Sequence, residues 1–301
     1  MNTVKTGGVQ MVPIDGRFQV WTKRIGAGPP TMLTLHGGPG STHEYFECFE
    51  DYLPPSGIQL IYYDQLGSGN SDQPDNPALW VVERFRDEVE QVRAALGLAG
   101  FYLYGQSWGG MLAIEYALKY QSHLKGLIIS NMTASIASYV TYVNELRRQL
   151  PAESQRILER YEANEEYTAP EYEKVMFGEI YSRHLCRLAR WPEPLVRMIR
   201  HMNQKVYNTM QGPNEFVVTG TFKDWDRWGD LKNINVPTLL SVGRFDTMSV
   251  ADVERMGTLI PNARVSICEK GSHCSMYDDQ ERYFEDLVRF IKDVEAGNFL
   301  R

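Results

Sequence analysis

The sequence is poor in cysteine: four residues in 301, none in CxxC spacing, too few for a disulfide scaffold or a thiolate zinc site. Cys48, Cys186, Cys268 and Cys274 are therefore expected as free thiols. Cys274, beside His273, is a candidate for an active-site wall but not for a nucleophile. Long apolar runs are missing too. Nothing approaches the ~20 residues that span a bilayer, and Met1 to Gly16 has no apolar stretch of signal-peptide type. These absences predict a cytoplasmic protein without a membrane partner. Basic charge is the third shortage: 31 Lys and Arg against 38 Asp and Glu leave a formal net charge of -7. A nucleic-acid partner needs a basic field that this chain does not have, so a small substrate is expected instead. No repeat, low-complexity tract, metal motif or cofactor motif stands out, and no cofactor or metal is expected.

What is present suits a catalytic domain carrying an insertion. The chain is long enough for one large core, and 43% of its residues are hydrophobic with 12% aromatic, spread along its length. As far as about Ser130, short β-branched or aromatic runs alternate with helical patterns, the signature of a mostly parallel sheet covered by helices. Strands are expected at Thr31 to Leu35, Ile58 to Tyr63, Phe101 to Tyr104 and Leu127 to Ser130, after an antiparallel pair in Val9 to Thr22. Ser41 to Glu44 has capping-box spacing, which predicts a helix start with Ser41 as the cap. Further helices are expected over Glu83 to Leu96 and from Ser107 to about Tyr120.

From Met132 to about Asn235 the strand runs vanish. Tyr142 to Leu150, Glu153 to Tyr161, Glu171 to Leu188 and Glu193 to Met210 carry helical periodicity, with Pro151, Pro170, Pro192 and Pro194 at the breaks. This reads as a helical cap, 132–235, inserted into a catalytic domain of 1–131 and 236–301. The alternation then resumes with strands at Pro237 to Val242 and Arg264 to Ile267. Helices are expected near Val250 to Leu259 and from about Asp279 to Val294.

Gly105-Gln106-Ser107-Trp108-Gly109 is G-x-S-x-G between an expected strand and an expected helix, the context that makes the pattern informative. A nucleophile at the tip of so tight a turn is backbone-strained, and the glycines two residues to either side relieve the crowding. Asp246 and His273 each follow a later strand, where chain turns leave a parallel sheet at its carboxyl edge, so both can converge on Ser107. The order Ser, Asp, His is that of the α/β-hydrolase fold. The three residue types divide the chemistry. The serine attacks, a neutral imidazole takes its proton, and the carboxylate fixes the tautomer and stabilises the imidazolium. Of the other histidines, His36 belongs to a glycine loop, His43 to a helix start, and His123, His184 and His201 to helices or their ends. His36-Gly37-Gly38-Pro39-Gly40 follows a strand, where a glycine-rich turn can aim an N–H at a developing oxyanion; Gly38 and Trp108 are the expected donors. Trp108, Tyr207 and Trp225 are candidates for the wall of a side-chain pocket, with the core of the cap as the competing role for the latter two.

Together the HGGPG loop, Tyr63-Asp64-Gln65 followed by Gly67, Gly69 and Ser71, the GQSWGG elbow, and Gly212-Pro213-Asn214-Glu215-Phe216 resemble the proline iminopeptidase family over almost the whole chain. The resemblance implies release of an N-terminal residue, often proline, from short peptides. It also implies that Glu215 is the carboxylate that binds the substrate's free α-amino group. One departure stands out: the family's second acidic position, after the triad aspartate, is Thr247 here. That leaves acyl transfer intact but loosens the implied demand for proline, so an amidase acting on amino-acid amides, or an esterase, stays open. From another class, a catalytically silent hydrolase-fold binding protein also stays open, although such proteins usually lose a triad member.

Overall fold

The computed structural model describes residues 8–299. Eight strands form one sheet in the order β1-β2-β4-β3-β5-β6-β7-β8. β1 (Val9–Ile14) and β2 (Phe18–Ile25) pair antiparallel, and β2 pairs antiparallel with β4 (Gln59–Tyr63). From β4 onward all pairings are parallel, through β3 (Thr31–Leu35), β5 (Phe101–Gln106), β6 (Leu124–Ser130), β7 (Thr238–Gly243) and β8 (Ala263–Cys268).

The inner strands are apolar on both faces because both are covered. In β5, Phe101 and Leu103 enter the core on one side of the sheet, while Tyr102 and Tyr104 enter the core on the other. β4 divides in the same way, Ile61 and Tyr63 against Leu60 and Tyr62, which is the period of two that strand geometry dictates. The first face carries α1 (Val82–Ala95), α2 (Trp108–Tyr120) and α9 (Val250–Leu259). The second carries a 3-10 helix, His43–Asp51, with α10 (Ser275–Asp278) and α11 (Gln280–Glu295). Each fully buried Leu, Val or Phe contributes about 1.5–3 kcal/mol relative to exposure, so the sheet holds the loops at its edge on a rigid base.

Between β6 and β7 the chain is helical: α3 (Ile136–Arg148), α4 (Ala152–Ala163), α5 (Pro170–Val175), a π-helical stretch Met176–Tyr181, α6 (Ser182–His184), α7 (Glu193–His201) and α8 (Gln204–Met210). Four details differ from the sequence expectation. The cap of the 3-10 helix is Thr42, not Ser41: Thr42 Oγ1 accepts from Glu44 N and donates to Glu44 Oε2 at 2.8 Å. α3 begins six residues early because Ser135 caps it, accepting from Ser138 N. The run from Glu171 is interrupted by the π-helical stretch and ends at His184. The run from Glu193 breaks at Asn203, whose side chain accepts from the N–H groups of Lys205 and Val206 and starts α8. All four cysteines are buried and unpaired. Among the described residues no helix is long and apolar enough to cross a membrane.

Candidate active site

The strand β5 ends at Gln106 and α2 begins at Trp108, so Ser107 alone makes the turn, with φ 57° and ψ -128°. That conformation is costly for any residue with a Cβ and persists only where the surroundings enforce it. Here the crowding is extreme. A Cβ on Gly105 would lie 2.0 Å from Gly109 O, and one on Gly109 would lie 2.0 Å from Leu35 O. The two glycines thus let strand, helix and the neighbouring β3 end approach within backbone contact. Ser107 N donates to Ser130 O at 3.0 Å, tying the turn to β6.

Asp246 follows β7 and His273 follows β8. His273 Nδ1 and Asp246 Oδ1 are 2.7 Å apart, both side chains buried. Burial alone would pull the His273 pKa down, but the charge of Asp246 and its hydrogen bond, with smaller contributions from Glu215 and Asp278, outweigh it and hold the pKa above its ordinary value. Among the described residues no hydrogen bond joins Ser107 Oγ to His273. The two side chains instead face a common cavity of about 190 Å³, walled also by Gly37, Gly38, Tyr181, Met198, Tyr207 and Glu215.

Residues that no motif singles out hold this geometry. Asn131, directly after β6 and in the left-handed region at φ 53°, donates from Nδ2 to Asp246 Oδ2 at 2.7 Å and to Ser272 O at 3.1 Å. Its own Oδ1 accepts from Ser130 Oγ at 2.6 Å, and that hydroxyl contacts Tyr283. A second chain of bonds crosses the site. Gly37 N donates to Tyr45 OH at 2.7 Å, Tyr45 OH to Gln106 Oε1 at 2.8 Å, and Gln106 Nε2 to His273 O at 2.9 Å. The glycine loop, the serine turn and the histidine loop are thereby one unit. The only signals in the sequence are positional: Gln106 is the variable residue of G-x-S-x-G, and Asn131 follows the end of a strand. The histidine loop also leans on the helical insertion, since His273 N donates to His184 O at 2.9 Å and Cys274 N to Leu185 O at 2.8 Å.

Gly37 N is committed to Tyr45, whereas the N–H groups of Gly38 and Trp108 have no acceptor among the described residues. Gly38 sits at φ 104°, and a Cβ there would be 2.7 Å from Ser41 N. His36 fixes the loop from behind as a neutral ring: Nδ1–H donates to Gly37 O at 2.9 Å, and Nε2 accepts from Gln65 N at 3.0 Å. Full desolvation, only partly offset by the Asp64 charge and the bond to Gly37, lowers its pKa to about 4. The side chain of Trp108 is not part of the cavity wall, contrary to expectation. Its indole stacks on Phe222 with centroids 5.8 Å apart, and Nε1 donates to Gln65 Oε1 at 2.8 Å. Trp225 is likewise packed away from the cavity, donating to Glu115 Oε1 at 2.7 Å, while Tyr207 does line it.

Glu215 enters the cavity from the segment after α8. Tyr207 OH donates to Glu215 Oε1 at 2.7 Å and Tyr139 OH lies 3.2 Å from Oε2, with a second contact to the Glu215 carbonyl. Both tyrosines have their pKa raised, by burial first and by the Glu215 charge next, so they remain donors. Thr247 is buried beside Asp246, its Oγ1 3.3 Å from Asp246 Oδ1, and does not reach the cavity. Cys274 lines the wall with its thiol pushed well up by burial, which keeps it protonated. Among the described residues no cluster of three His, Cys, Asp or Glu is placed to hold a metal ion.

A family model described as the alpha/beta hydrolase fold matches residues 30–280. A proline iminopeptidase of Elizabethkingia meningoseptica is 44% identical over 96% of this chain and 100% of its own length. The chain belongs to the proline iminopeptidase family. Within that family, the Saccharolobus solfataricus relative, also a proline iminopeptidase, is 37% identical over 92% of this chain and 90% of its own. Among solved structures, proline iminopeptidase from Mycobacterium smegmatis superposes with a TM-score of 0.89 at 32% identity, covering 96% of this chain and 99% of that one. The crystal structure of VinJ gives a TM-score of 0.92 at 34% identity, covering 96% and 100%.

Proposed function

We propose that this protein is a serine aminopeptidase that releases an N-terminal residue, proline foremost, from short peptides through an acyl-enzyme. The observation that carries the reading is the Glu215 carboxylate, held by Tyr139 and Tyr207 in the same cavity as Ser107 and His273. A free α-ammonium finds a charged partner there, while an acylated amine leaves the carboxylate unpaired. The cavity is small for a ligand site, which suits one terminal residue better than an internal stretch of chain.

In this mechanism His273 Nε2 takes the proton of Ser107 Oγ as the oxygen attacks the first carbonyl carbon. The N–H groups of Gly38 and Trp108 bind the resulting oxyanion. Asp246 keeps the Nδ1 proton in place and balances the imidazolium. His273 then protonates the leaving amine, and water, deprotonated by the same nitrogen, releases the acyl group. The segment 132–235 acts as the cap that supplies Glu215 and closes the cavity over it. Thr247 favours a second reading beside the first. With one carboxylate rather than two on the ammonium, simple amino-acid amides and first residues other than proline also become substrates.

A panel of aminoacyl chromogenic amides, free and N-acetylated, with proline and alanine members, tests this. Free amides should be cleaved and acetylated ones should be poor. Glu215→Gln should cost free substrates about 2 kcal/mol of kcat/KM, and Ser107→Ala should lose on the order of 10⁶ in kcat. Equal turnover of free and acetylated amides would remove both the peptidase and the amidase reading.

A further inference from the structure

A surface groove adjoins the cavity that holds Ser107 and His273. Phe177 and Ile199 wall both, and beyond them the groove is lined by Arg187, Leu188, Trp191 and Arg200. Two features set it apart from the rest of the surface. Residues 182–202 contain five arginines, Arg183, Arg187, Arg190, Arg197 and Arg200, against one acidic residue, Glu193, in a chain whose overall balance is acidic. Arg197 is neutralised by Glu44, Glu47 and Glu193, but the other four arginines form no ion pair among the described residues. Exposed large hydrophobic residues also gather here. Of six such residues described, Phe177 (47%) and Leu188 (38%) line the groove, and Phe245 (37%) carries the Arg187 guanidinium 3.7 Å from its ring centre. Stacking of this kind orients the guanidinium and leaves its N–H edge available.

We propose that this groove is the leaving-group subsite, taking the part of the peptide beyond the scissile bond, with an apolar side chain against Phe177 and Leu188 and the free C-terminal carboxylate at Arg200 and Arg187. The proposal rests on the aminopeptidase reading and adds a substrate class to it: di- and tripeptides with a free C-terminus. The two ends of such a substrate are then read by opposite charges, Glu215 on the ammonium and the arginines on the carboxylate. A longer chain, or one with a blocked C-terminus, loses the second contact.

The test compares prolyl-leucyl-glycine with prolyl-leucyl-glycinamide, and uses prolyl-p-nitroanilide as a substrate with no C-terminal carboxylate. The acid should exceed the amide in kcat/KM by about five- to tenfold, as expected for a partly exposed, charge-assisted contact. The difference should lie mainly in KM and shrink as salt is raised. Arg200→Gln should bring the acid-to-amide ratio toward 1, and Arg200→Glu should invert it. Equal turnover of acid and amide by the wild-type enzyme, beside intact nitroanilide cleavage, overturns the subsite alone. Absence of nitroanilide cleavage overturns the aminopeptidase reading with it.

Discussion

Asn131 bridges the Asp246 carboxylate and the histidine loop, and its loss can be worked through quantitatively. Removing its side chain deletes a 2.7 Å bond to the Asp246 carboxylate and a 3.1 Å bond to Ser272 O, and it leaves Ser130 Oγ without its acceptor at Asn131 Oδ1. A buried bond to a charged group is worth about 1.5–3 kcal/mol and one to a neutral carbonyl about 0.5–1.5 kcal/mol, so Asn131→Gly should lose about 2–4 kcal/mol of stability. The backbone at φ 53° separates that contribution from strain. Alanine at this position adds left-handed strain of about 1–2 kcal/mol but recovers about 0.4–1 kcal/mol of unfolded-state entropy, so Asn131→Ala should be the less stable of the two. In activity, Asp246 keeps His273 Nδ1 but loses its second anchor, and misplacement of the imidazole should cost kcat/KM about ten- to a hundredfold. Urea unfolding of the three proteins, with nitroanilide kinetics at a temperature where all are folded, reads both effects. Two variants within about 0.5 kcal/mol and about twofold of wild type would refute the anchoring role, since surface substitutions commonly stay within that margin.

Two further predictions concern pH. His273 is held above its ordinary pKa by Asp246 and, in smaller part, by Glu215, so the acid limb of kcat/KM should lie above pH 6.5. Glu215→Gln should move that limb down, and a limb that stays put would show that the Glu215 charge is not felt at the imidazole. His36 is depressed to about 4, so its neutral form contributes stability above pH 6.5 that is lost as pH falls toward 4. The gap corresponds to about 3 kcal/mol; His36→Gln should flatten this part of the stability profile in urea titrations run from neutral to about pH 4.5. Unchanged pH dependence in that variant would contradict the assignment. The His273 contribution has the opposite sign, present below pH 6.5 and lost as pH rises through its raised value.

The fold is legible where strand and helix periods are clean and their ends carry recognisable turns: β3, β5 and β7 fall within two residues of expectation. Legibility fails where two local solutions compete. Capping-box spacing points to Ser41, but Ser41 lines the cavity and the adjacent hydroxyl of Thr42 caps the helix instead. The helices between β6 and β7 merge in the sequence because helical periodicity persists across the π-helical stretch and across Asn203, a strong N-cap that also occurs in ordinary helix interiors. Adjacency to Ser107 suggests a place in the pocket for Trp108. Its indole instead packs between Phe85 and Phe222, and Gln65 answers its N–H. Asn131, Tyr45 and Gln106 are invisible for a different reason. Their importance is a property of pairs, and the partners lie 61, 167 and 115 residues apart in the chain.

The backbone bonds from His273 and Cys274 to the carbonyls of His184 and Leu185 bear on both engineering and evolution. His273 is clamped by the same segment between β6 and β7 that brings Glu215 to the cavity. Trimming that segment to widen access would also remove the two backbone bonds that fasten the histidine loop. Selectivity and reactivity in this scaffold have to be remodelled together.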